Sequence, residues 1–189
     1  MAVARGDVSR FTPVPRPRTR SERALVRDAA RGSEEALAEL FKATWPGAYR
    51  AAFLIVQDHS AAEDIAQEAL VAAMRNLNRF DRRRPLRPWL HRIVVNRAID
   101  WTRLRRLRAE VQAAETADDV QTRRAWSDPV LAALAALPPD QRAVVVLRHL
   151  LEYTPGEIAS ILDLPRGTVN SRLRRGLDVL KDELGDDVR

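Results

Sequence analysis

Apolar side chains recur at helical spacing through two stretches of the chain, about 34–106 and 128–184. In the first, Leu37, Leu40, Phe41 and Thr44 share one face, and Pro46 with Gly47 predicts an interruption or kink before Ala48, Ala52 and Ile55 resume it. Ser60 followed by Glu63 spells a capping box, which predicts a helix from there to about residue 77 with Ile65, Ala69, Ala72 and Ala73 inward. Pro88 stands where a first-turn proline is tolerated. Trp89, Leu90, Ile93, Val94, Ala98, Trp101 and Leu104 then make the apolar face of a third helix.

The second stretch predicts four short helices, over 130–137, 140–151, 154–162 and 166–184, and has no strand signal. The last two are joined by the tight turn Asp163-Leu164-Pro165, and the final helix is rich in arginine, which is the helix-turn-helix pattern. Within it Val169, Leu173, Leu177 and Leu180 predict one buried stripe and turn the residues between them outward. The expected fold is all-α: two small helical domains joined by a flexible linker, the C-terminal one a helix-turn-helix.

Charge sharpens these boundaries. Residues 1–31 hold eight arginines, three acids and a run of alternating prolines, without an apolar face to bury, and read as a basic flexible tail. Residues 32–106 form the first domain. The segment 107–127 reads as an acidic linker, because residues 109–122 carry four acids and no basic residue. Residues 128–189 form the second domain. All but two of the 32 basic residues, Lys42 and Lys181, are arginine, the side chain suited to phosphates and base edges.

Three clusters carry candidate chemistry. From residue 166 to 175 the outward positions Arg166, Thr168, Asn170, Ser171, Arg172, Arg174 and Arg175 combine cations with bidentate donors, without an acid. A merely solvated face interleaves both signs, so duplex DNA is the expected partner. From residue 81 to 108 there are ten arginines against two acids, including the loop DRRRPLRP and a stripe of Arg92, Asn96, Asp100 and Arg103 opposite the apolar face. An unemployed basic surface is the bland alternative, and helical spacing assigns Trp89 and Trp101 to core packing rather than to base stacking. From residue 58 to 68 the sign reverses: Asp58, Glu63, Asp64 and Glu68 stand without a cation, a face free to meet a basic protein.

These residues lie within strings that resemble the extracytoplasmic-function sigma factors of bacterial RNA polymerase: AEDIAQEAL at 62–70, WLHRIVVNRAID at 89–100, and LAALPPDQRAVVVLRHLLEYTPGEIASILDLPRGTVNSRLRRGLDVLK at 134–181. The resemblance implies that the two domains correspond to sigma regions 2 and 4. By the same likeness Asp64, Gln67 and Glu68 dock on the clamp helices of core polymerase, and the second domain meets its flap. Arg82, Arg84, Arg87, Arg92, Asn96, Arg97, Asp100 and Arg103 open and read the minus-ten element, holding an extruded base of the non-template strand. The last helix lies in the major groove at the minus-35 element, and the acidic linker threads toward the active-site cleft. It also implies a candidate anti-sigma partner. Leu70, Met74 and Leu86 depart from positions where the family often carries aromatics, and the loop is about a residue short, so the base preference is not legible.

Several classes are excluded or disfavoured. The chain has no cysteine, which removes disulfides, thiolate metal sites and cysteine nucleophiles. His59 and Glu63 are too few for a metal site, and no nucleophile stands with a base, so neither cofactor, metal nor enzymatic activity is expected. No window approaches the roughly 18 apolar residues of a membrane span, and the expected location is cytoplasmic. The alternative reading is a stand-alone helix-turn-helix regulator, which explains the last helix and leaves the acidic face and the Asn96 stripe without work.

Overall fold

The structure, a computed structural model, describes residues 21–115 and 129–184, and among them every regular element is helical. The N-terminal unit contains α1 (Glu22–Ala29), α2 (Glu34–Val56), α3 (His59–Arg75) and α4 (Leu86–Glu115). The C-terminal unit contains α5 (Pro129–Ala136), α6 (Pro139–Val145, continued by a π turn over Val146–Leu150), α7 (Pro155–Leu162) and α8 (Arg166–Leu184).

Helix starts follow from side-chain oxygens that accept orphan backbone amides. Ser21 caps α1, and Ser33 caps α2 through the amide of Ala36 at 3.3 Å. The third helix corrects an expectation: its cap is Asp58, which accepts from the Ala61 amide at 3.1 Å, so Ser60 lies inside the first turn and Glu63 stays exposed. Of the interruption or kink predicted at Pro46, the interruption is absent, because α2 runs unbroken through it. The amide that proline lacks would have bonded the carbonyl of Lys42, an exposed residue whose carbonyl can be hydrated instead.

Two boundaries move. Residues 22–29 of the expected flexible tail form α1, whose Leu25, Val26 and Ala29 pack with Leu40, Leu77, Phe80 and Leu86. Part of the expected linker is helical too, since α4 continues to Glu115. The rest of the tail and most of the acidic linker lie outside the described residues.

Alanines at 48, 51, 52, 62, 66, 69 and 73 are almost wholly buried, and their small side chains let α2 and α3 approach closely. On α4, Leu90, Val94, Val95 and Ala98 are buried, whereas Leu104, expected inward, is 54% exposed, with no helix among the described residues covering that end. On α8 the inward stripe is Val169, Leu173, Gly176 and Leu180, and Leu177 faces out. Helical geometry explains the correction, since a step of eight residues drifts about 80° off the starting face and a step of seven only about 20°.

Gly176 sits where α8 crosses α6. A Cβ there would lie 2.8 Å from Cγ2 of Val145, itself buried and β-branched. Gly176→Ala gains up to about 1 kcal/mol of helix propensity but incurs about 1–3 kcal/mol of overpacking, so it is expected to lower the denaturant midpoint rather than raise it.

The two units share one continuous core, with α4 packed against both α6 and α7. Polar contacts cross the same seam. Gln57, in left-handed backbone after α2, donates to the Leu131 carbonyl at 2.6 Å. The buried Arg142 donates to the carbonyls of Ile55 at 2.7 Å, Ala135 at 2.9 Å and Leu137 at 3.1 Å. Burial draws its pKa down to about 10, which leaves it cationic at neutral pH.

Candidate polymerase-binding and DNA-binding surfaces

The acidic surface lies on the outward face of α3. Asp64, Gln67, Glu68 and Val71 are all exposed and line one open concavity. Their spacing of three, four and seven residues puts them on adjacent turns. Arg97 reaches this surface from α4 and donates to Glu68 at 3.3 Å. His59 is already engaged, with Nδ1 2.7 Å from the Tyr49 hydroxyl and its ring 4.4 Å from that of Phe53. Among the described residues no group of three His, Asp or Glu is placed to hold a metal ion.

The basic loop is pinned at both ends. Phe80 and Leu86 are 7% and 2% exposed, and both pack on α1, while Glu22 of α1 accepts from the Leu86 amide at 3.4 Å. Between the anchors Asp81 closes a turn by accepting from the amides of Arg83 and Arg84, each at 3.0 Å. Arg82 and Arg84 are left exposed. Arg87 turns toward the C-terminal unit, where its guanidinium lies 5.4 Å from the Tyr153 ring centroid and donates to the Leu151 carbonyl at 3.3 Å.

Farther along α4 the predicted stripe forms. Arg92 and Asp100 are exposed and Asn96 is half-buried. Arg92 pairs with Asp163 at 3.5 Å, and Arg103 pairs with Asp140 at 2.6 Å and Asp100 at 3.9 Å.

The helix-turn-helix is closed by a capping box at the start of α7, where Thr154 Oγ1 accepts from the Glu157 amide and the Glu157 carboxylate accepts from the Thr154 amide. These bonds hold the Glu157 carboxyl below its usual pKa. Asp163 then adopts left-handed backbone at φ 56°, which lets the chain turn into α8. On α8, Arg166, Asn170, Arg174 and Arg175 are exposed, and Thr168, Ser171 and Arg172 are half-buried. Arg175 is steadied by donating to the Ser171 carbonyl at 3.3 Å, and Ser171 donates to the Thr168 carbonyl at 3.0 Å. Arg172 pairs with Asp140 at 3.5 Å.

Beneath these surfaces His91 is 1% exposed and meets Tyr153 across the seam, Nδ1 to hydroxyl at 2.9 Å. Burial and, less strongly, the nearby charge of Arg87 push the His91 pKa from 6.5 to about 4, against a raising hydrogen bond that the ring donates to the Gly47 backbone. Burial similarly raises Tyr153 to about 12. Because folding depresses the histidine pKa, the unfolded chain binds more protons between these values. The contribution of His91 to stability should therefore be nearly constant above pH 7 and fall by about 2 kcal/mol on acidification to about pH 5. Denaturant titrations at both pH values check this, and His91→Gln should flatten the dependence.

Comparison with known proteins assigns the two units to known families. Residues 40–109 match the Sigma-70 region 2 family and residues 127–180 the Sigma-70 region 4 family. The chain is 32% identical over 178 residues to the ECF RNA polymerase sigma factor SigW of Bacillus subtilis strain 168, covering 85% of this chain and 95% of that one. It belongs to the ECF sigma factors. A second member, SigM of Mycobacterium tuberculosis H37Rv, is 34% identical over 170 residues, with 88% of this chain and 86% of that one covered. Among solved structures, CnrH in complex with the cytosolic domain of CnrY superposes with a TM-score of 0.66 at 29% identity, over 87% of this chain and 97% of that one. As an ECF sigma factor the protein directs RNA polymerase to promoters, which sets aside the stand-alone regulator.

Several residues that shape these surfaces in this sigma factor have no signature in the sequence. Glu22 and α1 precede the region 2 match, and Asp140, Asp163 and Tyr153 act across a seam between units some tens of residues apart. The Pro138-Pro139-Asp140 run does mark an acid in a first helical turn, but not what faces it.

Proposed function

We propose that Asp64, Gln67 and Glu68 dock on the clamp helices of core polymerase, and that the C-terminal unit, taken as residues 128–189, engages its flap. The exposed acidic concavity on α3 carries this reading. Arg82, Arg84, Arg87, Arg92, Asn96, Asp100 and Arg103 read and hold the melted minus-ten strand. Cations on the loop attract the backbone, and Asn96 and Asp100 offer hydrogen bonds to an extruded base. Arg97, whose partly exposed pair with Glu68 is as exchangeable as the pairs of Arg92 and Arg103, joins them in this set. Arg166, Thr168, Asn170, Ser171, Arg172, Arg174 and Arg175 enter the major groove at the minus-35 element.

The factor contributes no catalysis or cofactor of its own and works in the cytoplasm. Its helices include none long and apolar enough to cross a membrane among the described residues. The structural likeness to CnrH, whose solved form is bound to CnrY, supports an anti-sigma protein as a further partner. Photocrosslinking from single-position labels tests the assignments within holoenzyme. Labels beside Asn96 should capture the non-template minus-ten strand and labels beside Arg175 the minus-35 duplex; exchanged targets would overturn the map.

A further inference from the structure

The exposed loop 81–85 is held at both ends by α1. Phe80 and Leu86, which flank it, are buried in a cluster with Leu25, Val26 and Ala29, and Phe80 also meets Trp89 of α4 with ring centroids 4.9 Å apart. The buried residues of that cluster are separate from those beneath the acidic face of α3. Glu22 adds a polar bond to this apolar clamp. Its carboxylate accepts from the amide of Leu86, the first residue of α4, at 3.4 Å. The residue before Leu86 is Pro85, whose side chain has no oxygen to cap a helix, so α4 takes an acceptor from another helix instead. The start of α1 itself is capped by Ser21, which accepts from the Ala24 amide at 3.3 Å and leaves the Glu22 carboxylate for α4.

We propose that Glu22 is a positioning residue for the minus-ten loop: by capping α4 from α1 it holds Arg82 and Arg84 in the arrangement that binds the melted strand. The inference rests on the assignment of that loop to the minus-ten element. Five residues between two buried anchors have few ways to run, and the bond at Leu86 fixes where the second anchor begins its helix. A loop that is competent for only a fraction of the time binds its ligand more weakly by that fraction. The purely electrostatic effect of Glu22 has the opposite sign. A carboxylate at the Leu86 amide, two residues along the chain from Arg84, repels the phosphates that this cation attracts. If charge were its whole contribution, removing it would tighten binding. Sign therefore separates positioning from electrostatics, and glutamine, a neutral acceptor, separates the bond from the charge.

The test uses holoenzyme reconstituted from the full chain and purified core polymerase. It first selects from a pool of DNAs that carry a randomised single-stranded non-template segment beside a fixed duplex, and the DNA enriched by the wild-type protein then serves as the probe. Glu22→Ala is expected to weaken binding of that probe by about threefold or more and to flatten the base enrichment within the single-stranded segment. Glu22→Gln should restore both to the wild-type level or above it. Affinity for core polymerase should be equal in all three proteins, which also reports an intact fold, because Glu22 is exposed and does not line the acidic concavity. Probe binding by Glu22→Ala as tight as wild type or tighter, or a glutamine variant no better than the alanine one, overturns the proposal. Arg82→Ala with Arg84→Ala separates the two levels of the argument. If that double variant leaves probe affinity unchanged, the loop assignment fails and the proposal with it; if it weakens binding and Glu22→Ala does not, only the role of Glu22 fails.

Discussion

Asp64→Arg with Gln67→Arg is expected to abolish capture by core polymerase while leaving the fold intact. Both side chains are exposed, and substitutions of that kind usually change stability by no more than about 0.5 kcal/mol. At a docked interface, however, the pair replaces an acid and an amide by two cations opposite a surface selected for the opposite sign. Like-charge juxtaposition there costs several kcal/mol, or a loss of more than about a hundredfold in affinity. Calorimetry or native mass spectrometry with purified core reads the loss, and circular dichroism confirms the helices. Retained affinity would move the docking site off α3.

The second large effect concerns α8. Arg172→Ala and Arg175→Ala should each weaken recognition of the minus-35 element by about 1–3 kcal/mol if the guanidinium is bidentate to a base. Both residues stand in the N-terminal half of the helix, the half that a helix-turn-helix presents to base edges. Two further readouts separate the roles. Loss of a base contact relaxes specificity at one base pair, whereas loss of a phosphate contact weakens all sequences alike and lowers the salt slope by about one. Binding by holoenzyme is the relevant measurement, because Arg172 in the free chain also gives up its pair with Asp140.

The contrast between local and long-range features explains how much of this was legible beforehand. Helical periodicity located α2 to α8, and the Arg-loaded outward face of α8 and the acidic face of α3 followed from the 3.6-residue repeat once one residue of each was placed. Local competition produced the misplaced cap: Asp58 and Ser60 are both good N-cap residues, and the helix starts at the earlier one, which buries Ala61 and Ala62 in its first turn. Leu177 and Gly176 were interchanged because hydrophobicity favours leucine as a core residue, whereas the crossing of α6 and α8 leaves room for no side chain at all. The short apolar set Leu25, Val26 and Ala29 is masked in the sequence by eight arginines, yet it packs with Phe80 and Leu86 at the two ends of the basic loop. Asp140 pairs with Arg103 and Asp163 with Arg92, both of the other unit, and no spacing within one segment encodes that.

In the proposed division of labour, one polypeptide grips polymerase with an acidic helix and touches two promoter elements with separate arginine surfaces. Multi-round transcription by purified core polymerase on a library of genomic fragments, with and without the protein, measures this most directly. Transcripts that appear only with the protein and start at a fixed distance from a shared two-part sequence are the expected result. No protein-dependent transcript, with core polymerase left unbound, would contradict it.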